Sequence, residues 1–220
     1  SSNQVDGLQF EQNSTLSLKA EHAFKNAPDL WFEKNTGVNP VPVLLNGNDQ
    51  GFGSLTINNP HAYIETPAAA PATLTLVQSA SDIAPENDFF RGPISIVKKG
   101  AKAMTFNGAT RSTGGSIRVE EGTLAFGASG KWSSATNVTV SGSTAVLSVA
   151  NSAALPKSCT IRVENGGKID VAAGTVVRAK EIWFGDRRIC GTYTAADYPD
   201  YITGEGAVRG SGLGIMVIVR

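Results

Sequence analysis

The sequence predicts an all-β fold: one right-handed parallel β-helix of roughly eight to ten coils over residues 1–220. Three observations point there. First, "SIRVEEGTLAFGA" (Ser116 to Ala128) returns as "TIRVENGGKIDVAAG" (Thr160 to Gly174), with Arg118 and Arg162 separated by 44 residues. A looser copy, "NVTVSGSTAVLSVA" (Asn137 to Ala150), stands between them, so the true period is near half of that. Second, Gly100, Gly122, Gly142 and Gly166 close successive phrases at intervals of 22, 20 and 24 residues. Such an interval is one coil of a solenoid, which buries its apolar face only against its neighbours. Third, Ile117 and Val119 alternate with Arg118 and Glu120, and Ile161 and Val163 with Arg162 and Glu164, the period-two pattern of a strand with one buried face.

Along the chain, residues 1–40 read as irregular first coils or a cap. "GLQFEQNSTLSLKA" is strand-like, and the weak helical text of Leu18 to Trp31 predicts a capping turn or an irregular first coil. "GSLTINNPHAYIET" and "ATLTLVQSA" continue the strands. From residue 94 each coil has two short strands, a glycine corner and a variable return segment. Glycine suits the corner because it accepts positive φ without a Cβ clash. Ile117, Val119, Val138, Val140, Ile161 and Val163 are expected in one stacked interior column. With coils stacking at about 4.8 Å, the rod is on the order of 40 Å long. Residues 190–220 form a closing segment whose last strand is the apolar run Leu213 to Val219, far short of the roughly 20 residues of a membrane span.

Composition agrees. There are 24 glycines, 17% charged residues and a formal net charge of zero. Balanced charge gives no electrostatic case for nucleic acid or an anionic membrane, which call for clustered Lys and Arg. The opening "SSNQVDG", already strand-like, predicts a module of a longer protein that is secreted or displayed on the cell surface. Cys159 and Cys190 read either as a disulfide between neighbouring coils or as two separate buried thiols. Zinc is not expected, because no Cys-x-x-Cys pair occurs and His22 and His61 lie in unrelated segments. No cofactor is implied.

The stretch "GPISIVKKGAKAMTFNGATRSTGGSIRVEEGTLAFG" resembles the autotransporter-associated β-strand repeat. Ile96, Lys98, Gly100, Phe106, Gly108, Gly114, Gly115, Ile117, Val119, Gly122 and Leu124 follow its pattern, and Ala101 to Ala103 depart from its Gly-x-Gly. The tail "AKEIWFGDRRICGTYTAADYPDYITGEGAV" is similar to the closing segment of such passengers. The resemblance implies a β-helix and leaves its use open.

Three uses compete. Catalysis by a polysaccharide lyase or hydrolase needs gathered carboxylates. Here the aspartates are scattered, and the nearest pair, Asp197 and Asp200 in "DYPD", suits a turn. Carbohydrate binding needs an aromatic ring outside the core. Alternation in "AKEIWFGD" turns Ile182 and Phe184 inward and Trp183 to solvent, while one of Trp31 and Phe32 should be exposed. Trp132 either fills a corner or joins the binding face, and Tyr193, Tyr198 and Tyr201 are alternatives as caps of the last coil. Arg118 with Glu120 and Arg162 with Glu164 supply outward polar groups two coils apart. Together these resemble β-helical carbohydrate-binding modules joined to xylan-degrading enzymes of gut bacteria, which implies a β-linked polysaccharide such as xylan as partner and a covalently linked catalytic domain. A purely structural passenger or adhesin rod is the alternative. The expectation is a non-catalytic binding module.

Overall fold

The computed structural model describes residues 6–11, 14–24, 26–34, 39–85 and 88–211. Among them there is no helix, and strands of at most six residues stack into a β-solenoid of about eight turns. The chain visits three faces in the same order in successive turns. One turn passes through Met104–Phe106, Arg111–Ser112 and Ser116–Val119, and a later one through Lys168–Val171, Val176–Ala179 and Glu181–Phe184. The return segment, expected to be variable, thus holds a third strand in these turns. A stacked return must also pair its backbone N–H and C=O groups, and a strand does so with the turn above and below.

The longest sheet runs, all in parallel, through Gln50–Phe52, Ala72–Val77, Ile94–Lys99, Ser116–Val119, Asn137–Ser141, Thr160–Glu164 and Glu181–Phe184. Arg118 pairs with Thr139 and Thr139 with Arg162, so the doubled phrase of the sequence recurs after two turns. Inside, the six β-branched residues expected in one column fall in two. Ile117, Val138 and Ile161 stack in one and Val119, Val140 and Val163 in the next, all buried. Residues i and i+2 of a strand both face inward, so each phrase contributes to two neighbouring columns. The glycine corners behave as expected. Gly122 adopts φ of 66°, and a Cβ there would run into the backbone of Gly100 and Ala101 in the turn before.

Two antiparallel pairings join the last described turn, whose strands Ile202–Gly204 and Ala207–Gly210 still pair in parallel with Lys168–Val171 and Val176–Ala179. Arg187–Ile189 pairs antiparallel with Glu181–Phe184, and Gly191–Thr194 antiparallel with Ala207–Gly210. Tyr201 stacks on Phe184 at 4.7 Å between ring centroids, Tyr198 packs on the same ring at 5.1 Å, and Tyr193 packs on Tyr198 at 5.1 Å. These tyrosines therefore cap the last coils. The strand expected at Leu213 to Val219 lies outside the described residues. At the other end, the text of Leu18 to Trp31 forms no helix and leads into the strand Asp29–Phe32, which pairs with Gly7–Phe10 and Leu55–Ile57. Both cysteines are free: Cys159 is buried, its thiol pushed up to about 11 by burial, whereas Cys190 is exposed rather than buried.

Candidate functional site

The outer face of the long sheet carries two ladders of side chains. Strand alternation that sends Ile161, Val163, Ile182 and Phe184 inward sends their neighbours out. In one ladder Arg118, Thr139, Arg162, Trp183 and Arg188 are register partners in sequence. In the other, Ser116, Asn137, Thr160 and Glu181 follow the same turns.

The charges on this face are braced. Arg118 Nε donates to Glu120 Oε1 at 2.6 Å, and Lys99 Nζ approaches the same carboxylate at 3.1 Å. The Arg118 hydrogen bond, helped by Lys99, holds the Glu120 carboxyl below the usual carboxylate range against the opposing effect of burial. Arg162 Nη1 donates to the Gly185 carbonyl at 2.9 Å, and its guanidinium lies 5.0 Å from the centroid of Trp183. Trp183 Nε1 donates to Glu181 Oε2 at 3.2 Å, and Arg188 reaches the other oxygen of that carboxylate at 3.5 Å. Trp183 faces outward as alternation requires, yet it is half-buried, because Arg162 from the preceding turn lies over its ring and the antiparallel strand Arg187–Ile189 flanks it. Glu164, in register with Ser141, sits at the edge of the same face, also half-buried.

The sequence-predicted residues thus divide. Arg118, Glu120, Arg162, Glu164 and Trp183 share one face. Trp31 does not: it is 38% exposed on a different sheet, where Gln9 and Thr56 are its register partners, while Phe32 is fully buried. Of the two places open to Trp132, a corner or the binding face, the structure removes the face. Trp132 lies wholly in the core, stacked on Phe90 at 5.9 Å and edge-on to Phe106 at 5.6 Å, and offers no surface to a ligand. A run of aromatics, Phe90, Phe106 and Phe126, marks that column in the sequence and could have claimed Trp132 for the interior.

Sequence reasoning placed Lys98 in the repeat pattern but not in the core, where it is fully buried in the inner column between Leu76 and Val119. Its Nζ donates to the carbonyls of Lys99, Gly100 and Glu121 at 2.8, 2.6 and 3.1 Å. Strict alternation from Ile94 and Ile96 was the available signal. Four of the aspartates brace turns: Asp29 accepts from the Ser54 amide, Asp49 from that of Thr73, Asp82 from that of Ala103, and Asp170 from the hydroxyls of Ser148 and Thr203. Asp197 accepts from the amide and hydroxyl of Thr194, the turn role its sequence context indicated. Among the described residues no group of three or more His, Cys, Asp or Glu is placed to hold a metal ion. What the long face can do chemically is hydrogen-bond an extended polar chain at one step per turn.

No family model, curated protein or solved structure matches this chain.

Proposed function

We propose that this rod is a non-catalytic carbohydrate-binding module for a β-linked plant polysaccharide such as xylan, accessory to a secreted polysaccharide-degrading enzyme. The observation that carries the reading is the pair of outward ladders on the long sheet, Arg118, Thr139, Arg162 and Trp183 beside Ser116, Asn137, Thr160 and Glu181. Each turn presents a polar or aromatic side chain at a rise of about 4.8 Å, so two turns span about 10 Å, near the length of a disaccharide. An extended chain of sugars can run along such a face, its hydroxyls meeting the polar side chains and one C–H face meeting the indole of Trp183. The binding requires neither metal nor hydrolysis.

Affinity electrophoresis of the 220-residue chain through gels containing soluble glycans tests this. Xylan is expected to retard the wild-type chain, and Trp183→Ala to weaken retention by about 1–3 kcal/mol, the scale of one aromatic hot spot. Retention that survives the substitution intact would move the site off this face.

A structural passenger rod is the second reading, and one observation favours it. The ring of Trp183 is already covered by Arg162 and its N–H already held by Glu181, so the outer face satisfies much of its own bonding. Outward mixed charges also serve solubility. A wild-type chain retarded by no glycan would decide for the passenger.

A further inference from the structure

We propose that Trp31 and the groove further along its strand pair form a second saccharide site, at the N-terminal end of the rod and on a different face from the ladders, which takes a single neutral pyranose ring. The choice of a sugar rests on the carbohydrate-binding reading. The site itself stands on separate residues.

Trp31 is the exposed large apolar side chain among the described residues. Its indole is held in place rather than left free. The six-membered ring lies against Gly7 of the neighbouring strand, so closely that a Cβ on Gly7 would fall within 2.6 Å of Trp31 Cη2. Glycine at position 7 therefore lets the ring lie down on the strand, with one side against the rod. An indole so fixed has lost little freedom still to be lost when a ligand stacks on it.

Further along the same strand pair, on the other side of the Gln9–Trp31 rung from Gly7, Gln9, Glu11, Glu33 and Lys34 line a groove of about 510 Å³. Gln9 is Trp31's register partner, and the Glu33 amide donates to the Phe10 carbonyl, so the groove walls are set by the same strand pair that sets the ring. The lining reads as a sugar complement. An amide both donates and accepts, carboxylates accept from hydroxyls, and an ammonium donates to them. Two carboxylates against one ammonium disfavour an anionic ligand, and the carbohydrate-binding reading makes the ligand a neutral sugar. The ligand length follows from the register. The partners of Trp31 on either side, Gln9 and Thr56, are polar, so one indole serves one ring, whereas the long face repeats over several turns.

The experiment uses ¹H–¹⁵N spectra of the whole 220-residue chain, in which three tryptophans give three indole N–H signals. Trp31→Phe and Trp183→Phe assign two, and the third belongs to Trp132. Methyl β-xyloside, xylobiose and xylohexaose are titrated in turn. The Trp31 signal is expected to shift saturably with methyl β-xyloside about as readily as with xylobiose or xylohexaose, to do so equally in Trp183→Ala, and to need about 2- to 10-fold more ligand in Gln9→Ala, the loss of one hydrogen bond; a shift that needs xylohexaose overturns the single-ring site. A Trp31 signal that stays still while that of Trp183 moves overturns the second site and leaves the ladder reading intact. Movement of Trp31 alone supports the site and moves binding off the long face. If neither signal moves with any saccharide, both readings fall.

Discussion

The turns before and after Ile94 hold their corners mainly by different means, although Gly47 and Gly92 also turn at positive φ in the earlier ones and Asn151 grips the Gly127 and Gly130 carbonyls in the later ones. In the earlier ones, amide and carboxylate side chains reach across turns. Asn46 and Asn48 both donate to the Leu18 carbonyl, Gln50 donates to Ala20 and accepts from the Ala23 amide, and Gln78 binds both the N–H and C=O of Leu55. In the later ones Gly100, Gly122, Gly142 and Gly166 turn the chain at positive φ, and backbone meets backbone, as in the Val146 amide donating to the Gly122 carbonyl at 2.9 Å. A corner made of backbone needs one residue type and can be copied from turn to turn. A side-chain corner needs a particular length and a particular polar group at each place, so no two are alike.

The largest effect should come from breaking a copied turn. Val140 is fully buried between its register partners Val119 and Val163. Val140→Asp places an unpaired carboxylate there, a cost of several kcal/mol, and each turn is the template for the next. Hydrogen exchange should show protection lost together from Ser116 through Phe184, with a large fall in melting temperature. An unchanged melting temperature would remove Val140 from the interior.

A smaller and more local loss should follow from breaking a bespoke corner. Gln78 is fully buried, and its side chain accepts from the Leu55 amide at 2.8 Å and donates to the carbonyls of Leu55 and Ser81 at 3.1 and 2.8 Å. Gln78→Leu keeps the volume near constant and strands the Leu55 groups, each at about 1–3 kcal/mol. Exchange should quicken around Leu55 and Ser81 while the later turns keep their protection. Loss spread evenly along the rod would erase the distinction between the two kinds of corner.

That distinction also explains what the sequence made legible. The phrases around Ile117 and Ile161 repeat because glycine corners repeat, and from them follow the solenoid, its period and the buried faces. The strands near Gly7, Leu55 and Ala72 are visible by alternation, but Asn46, Gln50 and Gln78 give no periodic mark, so the link between early turns is silent until the backbone they grip is in place. At the candidate face, alternation puts Trp183, Arg118 and Arg162 outward. It cannot foresee that Arg162 lies over Trp183, since that depends on which residues of successive turns fall side by side. Trp132 stays open between corner and face for a related reason: a residue outside a strand is not oriented by a period of two.

Lys98 sharpens the comparison with the smallest expected effect, a change of slope rather than a loss of fold. It lies in the later turns but braces a corner as the earlier ones do, with a side chain that grips three carbonyls. Burial pushes its ammonium down from the ordinary 10.5 to about 8, with Glu121 and Asp82 pulling the other way. The folded value lies below the unfolded one, so between about pH 8 and 10.5 the unfolded chain binds more protons and stability contributed by this group rises with pH. Below that window the cost of holding the buried charge is constant. Lys98→Met removes the titration and strands the carbonyls, a loss that does not vary with pH. The gap in melting temperature between wild type and Lys98→Met should therefore widen from pH 7.5 to pH 10, after the alkaline loss common to both is subtracted. A gap that stays flat would mean that the three carbonyls offset the whole cost of burial. Lys98 would then be a charged brace as well matched to its corner as Gln78 is to Leu55, and the later turns would hold, with that of Asn151, a further bespoke corner among copied ones.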